Sequence, residues 1–141
     1  MLKNISNLGD AALYCDFGIE VNRSTNSEVI KYFNTIREKK IRGVNNLTPS
    51  YNKLIISFDL RVTNFSEIKN KIENLDKTIE QKKNNKKIEV PVCCEENFAL
   101  DRVRLEKKLN LSYQEILTKF FGKEYFCYMT GFIAGMPFWE I

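Results

Sequence analysis

Hydrophobic positions change period several times along this chain, and each change marks an element. Residues 11–17 alternate strictly, with Leu13, Cys15 and Phe17 on one side and Ala12, Tyr14 and Asp16 on the other. A period of two predicts a half-buried strand, opened by a turn at Gly9-Asp10 and ended by Gly18. The period then becomes helical. Val29, Ile30, Phe33 and Ile36 fall on one stripe behind an expected capping box at Thr25 and Glu28, a pairing that satisfies orphan amides at a helix start. Lys39 and Lys40 in the last turn suit the helix dipole, and Gly43 reads as the stop.

Residues 44–47 predict a weak strand ended by Thr48-Pro49-Ser50. Residues 53–59 predict a stronger one with Leu54, Ile56 and Phe58 inward. The short polar connection makes the two an antiparallel pair. Phe65, Ile68, Ile72, Leu75 and Ile79 then recur at spacings of 3, 4, 3 and 4, one continuous apolar stripe and the clearest helix in the chain. Glu67/Lys71 and Glu73/Lys77 read as i,i+4 pairs on its surface. After a basic connector, Ile88, Val90 and Val92 alternate with Lys87, Glu89 and Pro91. Pro91 lacks a backbone donor, which places this strand at a sheet edge. The order strand, helix, strand, strand, helix, strand predicts an α+β, ferredoxin-like βαββαβ domain over residues 1–93.

Past Cys94 the character changes. Residues 99–109 predict a short amphipathic helix carrying Leu100, Val103 and Leu109, stopped by Asn110. Ser112 and Glu115 form a second capping box, with Leu111 placed to staple onto Ile116 and Gly122 as the end. Residues 125–129 are almost wholly apolar, as in a strand buried on both faces. Gly131, Gly135 and Pro137 break that run into an irregular apolar loop leading to Phe138-Trp139-Glu140-Ile141. An apolar surface of that kind needs a partner, so the expectation is a fragment or one part of a larger assembly. Residues 94–141 are expected to open a second domain whose remainder is absent.

Composition narrows the function classes. The chain has 141 residues, 43% apolar and 28% charged, ordinary for a globular protein. No apolar run reaches the roughly 18–20 residues of a membrane span. The N-terminus lacks the apolar core of a secretory signal, so a cytoplasmic, non-membrane protein is expected. Net charge is +4, and the basic clusters at residues 37–42 and 82–87 lack interleaved aromatics, which argues against nucleic acid. Cys15, Cys93, Cys94 and Cys127 form no C-x-x-C pair and read as reduced thiols. The chain has no histidine, which removes His-dependent triads and the usual neutral-pH base. Asp10 and Asp59 read as turn caps at strand ends, and Tyr125, Phe126, Tyr128 and Trp139 as packing groups.

Three ordered stretches add a resemblance. They are Gly9-Asp10-Ala11-Ala12-Leu13 with Phe17-Gly18; Tyr51 with Leu54-Ile55-Ile56 and Phe58-Asp59; and Val90-Pro91-Val92-Cys93, Leu111-Ser112, Glu115, Tyr125, Tyr128-Met129 and Gly131-Phe132. Together they resemble the N-terminal part of the KipI-type, carboxyltransferase-like family (subdomains C and D, allophanate hydrolase subunit 1-like). The resemblance implies a ferredoxin-like domain followed by the start of a cyclophilin-like β-barrel, here residues 94–141. It implies the B subunit of an ATP-dependent 5-oxoprolinase, with the C and A subunits of 5-oxoprolinase as partners, ATP bound by the assembly, and an isolated chain that is inactive. The family also includes inhibitors of a sensor histidine kinase and components of allophanate hydrolase and urea carboxylase, which are the alternatives. It directs attention to Gly131, Phe132, Gly135, Met136, Pro137 and Phe138 as a substrate or subunit-contact loop. The family's loop reads Gly-Phe-x-Pro-Gly-Phe-x-Tyr. Here Ala134 stands where proline is usual, Met136 where phenylalanine is and Phe138 where tyrosine is, while Phe120 stands where histidine is common. No catalytic residue or metal site is implied.

Overall fold

A computed structural model describes residues 2–75, 86–131 and 133–140. The described chain is mixed α/β and falls into two compact units. One comprises Met1–Lys82 and Cys127–Trp139, the other Lys83–Phe126 and Glu140–Ile141.

The first unit is built on a four-stranded antiparallel sheet of order β1-β2-β4-β3. Its strands are β1 (Asn4–Asn7), β2 (Ala12–Asp16), β3 (Val44–Pro49) and β4 (Lys53–Phe58). Alternation determines its buried face. Leu13 faces Ile56 and Cys15 faces Leu54 across the β2–β4 ladder, and all four are fully buried. Helices α1 (Arg23–Lys39) and α2 (Phe65–Glu73) contribute Val29, Tyr32, Ile36, Ile68 and Ile72 to the same core. Tyr32 meets Phe17 edge-on, centroids 5.2 Å apart. β2, α1 and β3 form a β-α-β unit split by the antiparallel insertion of β4.

The sheet departs from expectation at its first edge. Ile88–Val92 forms no strand; Ile88, Val90 and Val92 are exposed. The place beside β2 belongs to β1, which the alternation did not reveal because only Ile5 of its four residues is apolar and buried. A strand joined to β2 by a tight turn closes a far shorter loop than one arriving from residue 88, so its pairing costs less entropy.

Helix ends are also corrected. The cap of α1 is Asn22, whose side chain accepts from Thr25 N at 2.8 Å, not a box at Thr25 and Glu28. The helix ends with Lys40 in the left-handed region. Gly43 therefore has another role: at φ +93° a Cβ there would lie 2.5 Å from Thr63 Cγ2. α2 is capped by Asn64, which accepts from Glu67 N at 3.0 Å. Glu67 is held by Thr63 and Asn64 rather than by Lys71, and Lys69 pairs with Glu73 at 3.8 Å. Lys77 and Ile79 lie outside the described residues.

The second unit holds a 3-10 turn (Glu96–Phe98) and two helices, α3 (Arg102–Leu109) and α4 (Tyr113–Phe121). Asn110 caps α3 in the left-handed region, and Ser112 with Glu115 forms the complete capping box of α4, as the sequence predicts. The corner between them is pinned by Glu106, which accepts from Tyr113 N at 2.9 Å, and by Arg102 over the Tyr113 ring at 5.1 Å. No described residue of this unit is fully buried, and Leu100 and Val103 are exposed rather than packed.

The cysteines supply a test of the packing. All four are free; Cys15 is buried, Cys94 half-buried, and Cys93 and Cys127 exposed. A thiol dye is expected to modify Cys93, Cys94 and Cys127 in the native protein and Cys15 only after denaturation. Burial pushes the Cys15 thiol up to about 12 from 9.0. The unfolded chain therefore ionises first as pH rises. This group's contribution to stability is intact below about 9 and falls by about 1.4 kcal/mol per pH unit from there to about 12. Alkaline urea titrations of wild type against Cys15→Ala measure it.

Candidate functional site

The expected loop belongs to a hairpin in the first unit. β5 (Phe126–Thr130) and β6 (Pro137–Glu140) form a separate two-stranded sheet. Between them, Gly131 N donates to Met136 O at 3.0 Å and Met136 N to Ile133 O at 3.0 Å. Gly135 takes φ +80° with open space around it, a conformation that glycine adopts without the penalty of a side chain. Ile133 and Met136 are exposed at the tip, while Pro137 and Phe138 are half-buried. Phe132 lies outside the described residues. The apolar run is not a strand buried on both faces: Tyr128 is buried at 4% exposure, whereas Cys127 and Thr130 are exposed.

Tyr51 packs against this hairpin. Its ring sits 5.2 Å from Tyr128 and 6.3 Å from Phe138, the latter nearly perpendicular at 87°. Edge-to-face packing of this kind places positive ring edges on negative faces. Tyr51 lies in the β3–β4 turn, and the turn is tied down from three sides. Asn26, 2% exposed within α1, donates Nδ2 to Ser50 O at 3.2 Å and Tyr51 O at 3.1 Å. Asn52 Nδ2 donates to Gly18 O at 2.9 Å, and Phe17 N donates to Asn52 O at 3.1 Å. Lys53 Nζ donates to Asp16 Oδ1 and, at 2.5 Å, to Gly18 O.

Asp16 also accepts from Gly18 N at 2.7 Å. The Lys53 hydrogen bond, then the Gly18 amide, holds its carboxyl below the usual range. A depressed folded value contributes stability above the ordinary pKa of 3.8 and loses it as pH falls through the folded value. Asp16→Asn is thus expected to cost about 1 kcal/mol at neutral pH and to flatten the stability decline below pH ~4; acid and urea titrations of both proteins check this.

The two aspartates read from sequence as turn caps lie at the opposite end of the β2–β4 ladder from Tyr51. Asp59 caps its own turn, its carboxylate accepting from Arg61 N at 2.9 Å and Arg61 Nη2 at 2.7 Å. The Arg61 side chain lowers it to about 2. Phe120, at the position where histidine is common, packs its ring 5.3 Å from Tyr125, and its carbonyl accepts the Tyr125 hydroxyl at 2.9 Å. Sequence reasoning passed over Asn26, Asn52 and the Asp16–Lys53 pair. The signal for the last is their facing register at adjoining strand ends; Asn26 shows only as a polar residue three positions before Val29 on the helix stripe. Among the described residues no group of three His, Cys, Asp or Glu could hold a metal. The arrangement offers aromatic faces and a shaped backbone, and the Asp16–Lys53 pair is spent on holding the turn.

The first unit thus sets an aromatic hairpin against the Tyr51 ring of its β3–β4 turn. The chain belongs to the carboxyltransferase domain family, subdomain C and D, which it matches over residues 3–140. It is 30% identical over 146 residues to the B subunit of 5-oxoprolinase from Bacillus subtilis (strain 168), covering 95% of this chain and 61% of that protein. A solved structure of a conserved uncharacterized protein from Pyrococcus horikoshii shares the fold at a TM-score of 0.50 and 23% identity, over 92% of this chain and 60% of the other. The chain thus spans about 60% of the length of these relatives. No helix among the described residues is long and apolar enough to cross a membrane.

Proposed function

We propose that this chain is the B subunit of an ATP-dependent 5-oxoprolinase, acting in the cytoplasm within a hetero-oligomer that opens the lactam of 5-oxoproline to give L-glutamate. The observation that carries the proposal is the 30% identity to the B subunit of a 5-oxoprolinase along 95% of the chain. That relative favours the oxoprolinase reading over the kinase-inhibitor and urea carboxylase readings. In this proposal the split β-α-β unit is the core of a ferredoxin-like domain at residues 1–93, and residues 94–141 open a cyclophilin-like barrel.

The chain carries no G-x-x-x-x-G-K-[ST] loop to cradle phosphates. The proposal therefore assigns ATP to one of the two other subunits, or to an interface with them. Gly131, Phe132, Gly135, Met136, Pro137 and Phe138 then serve as the loop that meets a partner or the substrate. The exposed Met136 and Ile133 support this role, since apolar side chains at a hairpin tip suit a contact surface.

Co-expression of the full-length gene product with the cognate A and C subunits tests the assembly. Tagged product is expected to bring down both of them in fixed ratio. Met136→Glu, a change at an exposed position, is expected to weaken that co-purification about tenfold or more while circular dichroism stays unchanged. Failure of the wild type to retain either one would reject the proposal.

A further inference from the structure

We infer that the edge strand β3 and the basic groove beside it form a docking site for an acidic, apolar-bearing extended segment of a partner protein. β3 is the outer strand of the sheet and pairs only with β4 among the described residues. Its unpaired backbone groups are a template for one more strand. A bulge between Val44 and Asn46 and Pro49 at the far end bound that edge, leaving residues 46–48 to pair.

Alongside lies an open cavity of about 440 Å³ floored by Phe33, Ile36, Ile41, Val44 and Leu47. A second, of about 470 Å³, adjoins it through Lys40 and Ile41. Arg37, Lys39, Lys40, Arg42 and Lys71 rim the pair, and among the described residues no carboxylate lines either cavity. None of the five makes an ion pair among the described residues. Helix dipoles account for cations in the last turns of α1 and α2. They do not account for Arg42, which lies outside both helices, or for an apolar floor beneath the charges.

Charge complementarity selects the occupant. A strand added to β3 alternates its side chains between two directions. One set can fill the apolar floor while carboxylates meet the cationic rim. Nucleic acid fits less well, because among the described residues the groove's lining offers no stacking aromatic beyond Phe33, which Arg37 covers at 5.1 Å.

The test uses the full chain and a labelled peptide alternating Asp with Val and Leu. Fluorescence anisotropy is expected to show saturable binding that weakens with added salt. Binding should fall about tenfold or more in Arg37→Glu/Lys40→Glu/Arg42→Glu. All three positions are exposed, so the variant should keep the wild-type circular dichroism spectrum. Amide shifts should map to residues 44–48. An Asp/Ser peptide should bind weakly, separating the floor's role from charge alone. No binding, equal binding by the triple variant, shifts elsewhere, or tighter binding of a single-stranded oligonucleotide would each overturn the inference.

Discussion

Phe58→Ala is expected to lower the unfolding free energy by about 3–5 kcal/mol. Phe58 is 2% exposed in β4, the strand flanked on both sides by other strands. Its side chain joins Leu54 and Ile56 on the face covered by α1 and α2. Removing the ring forfeits its burial and leaves a cavity that two ladders prevent from collapsing. Small domains have only about 5–15 kcal/mol in total, so the variant should be unfolded at modest denaturant. Urea titrations followed by circular dichroism read the midpoint, with the exposed Lys39→Ala as a control expected within about 0.5 kcal/mol of wild type. A loss below about 1 kcal/mol for Phe58→Ala would place this side chain outside the core.

Asn26→Ala is the second large effect, with an expected loss of about 1–3 kcal/mol. The side chain is small, so little packing is removed. What is lost is the donor to two carbonyls, Ser50 and Tyr51. These carbonyls are half-buried, so leaving them without a donor costs part of the desolvation penalty of a buried acceptor. The effect should spread, because the same turn carries the Tyr51 ring on which Tyr128 and Phe138 rest. Two observables follow. Near-ultraviolet circular dichroism should lose aromatic signal. A double-mutant cycle with Tyr51→Ala should be non-additive, since one substitution disturbs what the other removes. Additive losses would separate Asn26 from the hairpin.

Much of the fold was legible because burial imposes period. Leu13, Cys15 and Phe17 and then Leu54, Ile56 and Phe58 alternate as they do because one sheet face is dry. Ile68 and Ile72 recur as a helix must against that face, while Leu75 is buried just beyond the helix end at Glu73. The Ser112–Glu115 box was legible because both partners are local. What escaped was non-periodic or non-local. β1 has one inward residue and so no period to read. Ile88–Val92 has the period of a strand but pairs with no strand among the described residues. Asn22 displaced Thr25 as a cap because Asn caps as well as Ser or Thr. The hairpin loop was marked by its glycines and proline, yet Tyr51, its support in the chain's middle, was reachable only through the tertiary turn that Asn26 fixes.

ATP-dependent glutamate release is the direct measurement of the proposed function. The full-length product, purified with the cognate A and C subunits, is incubated with 5-oxoproline and ATP. Glutamate formed well above a control that holds those two subunits alone, and absent without ATP, is the expected result. Glutamate no higher than that control, from a complex shown to contain all three components, would contradict the assignment to 5-oxoprolinase.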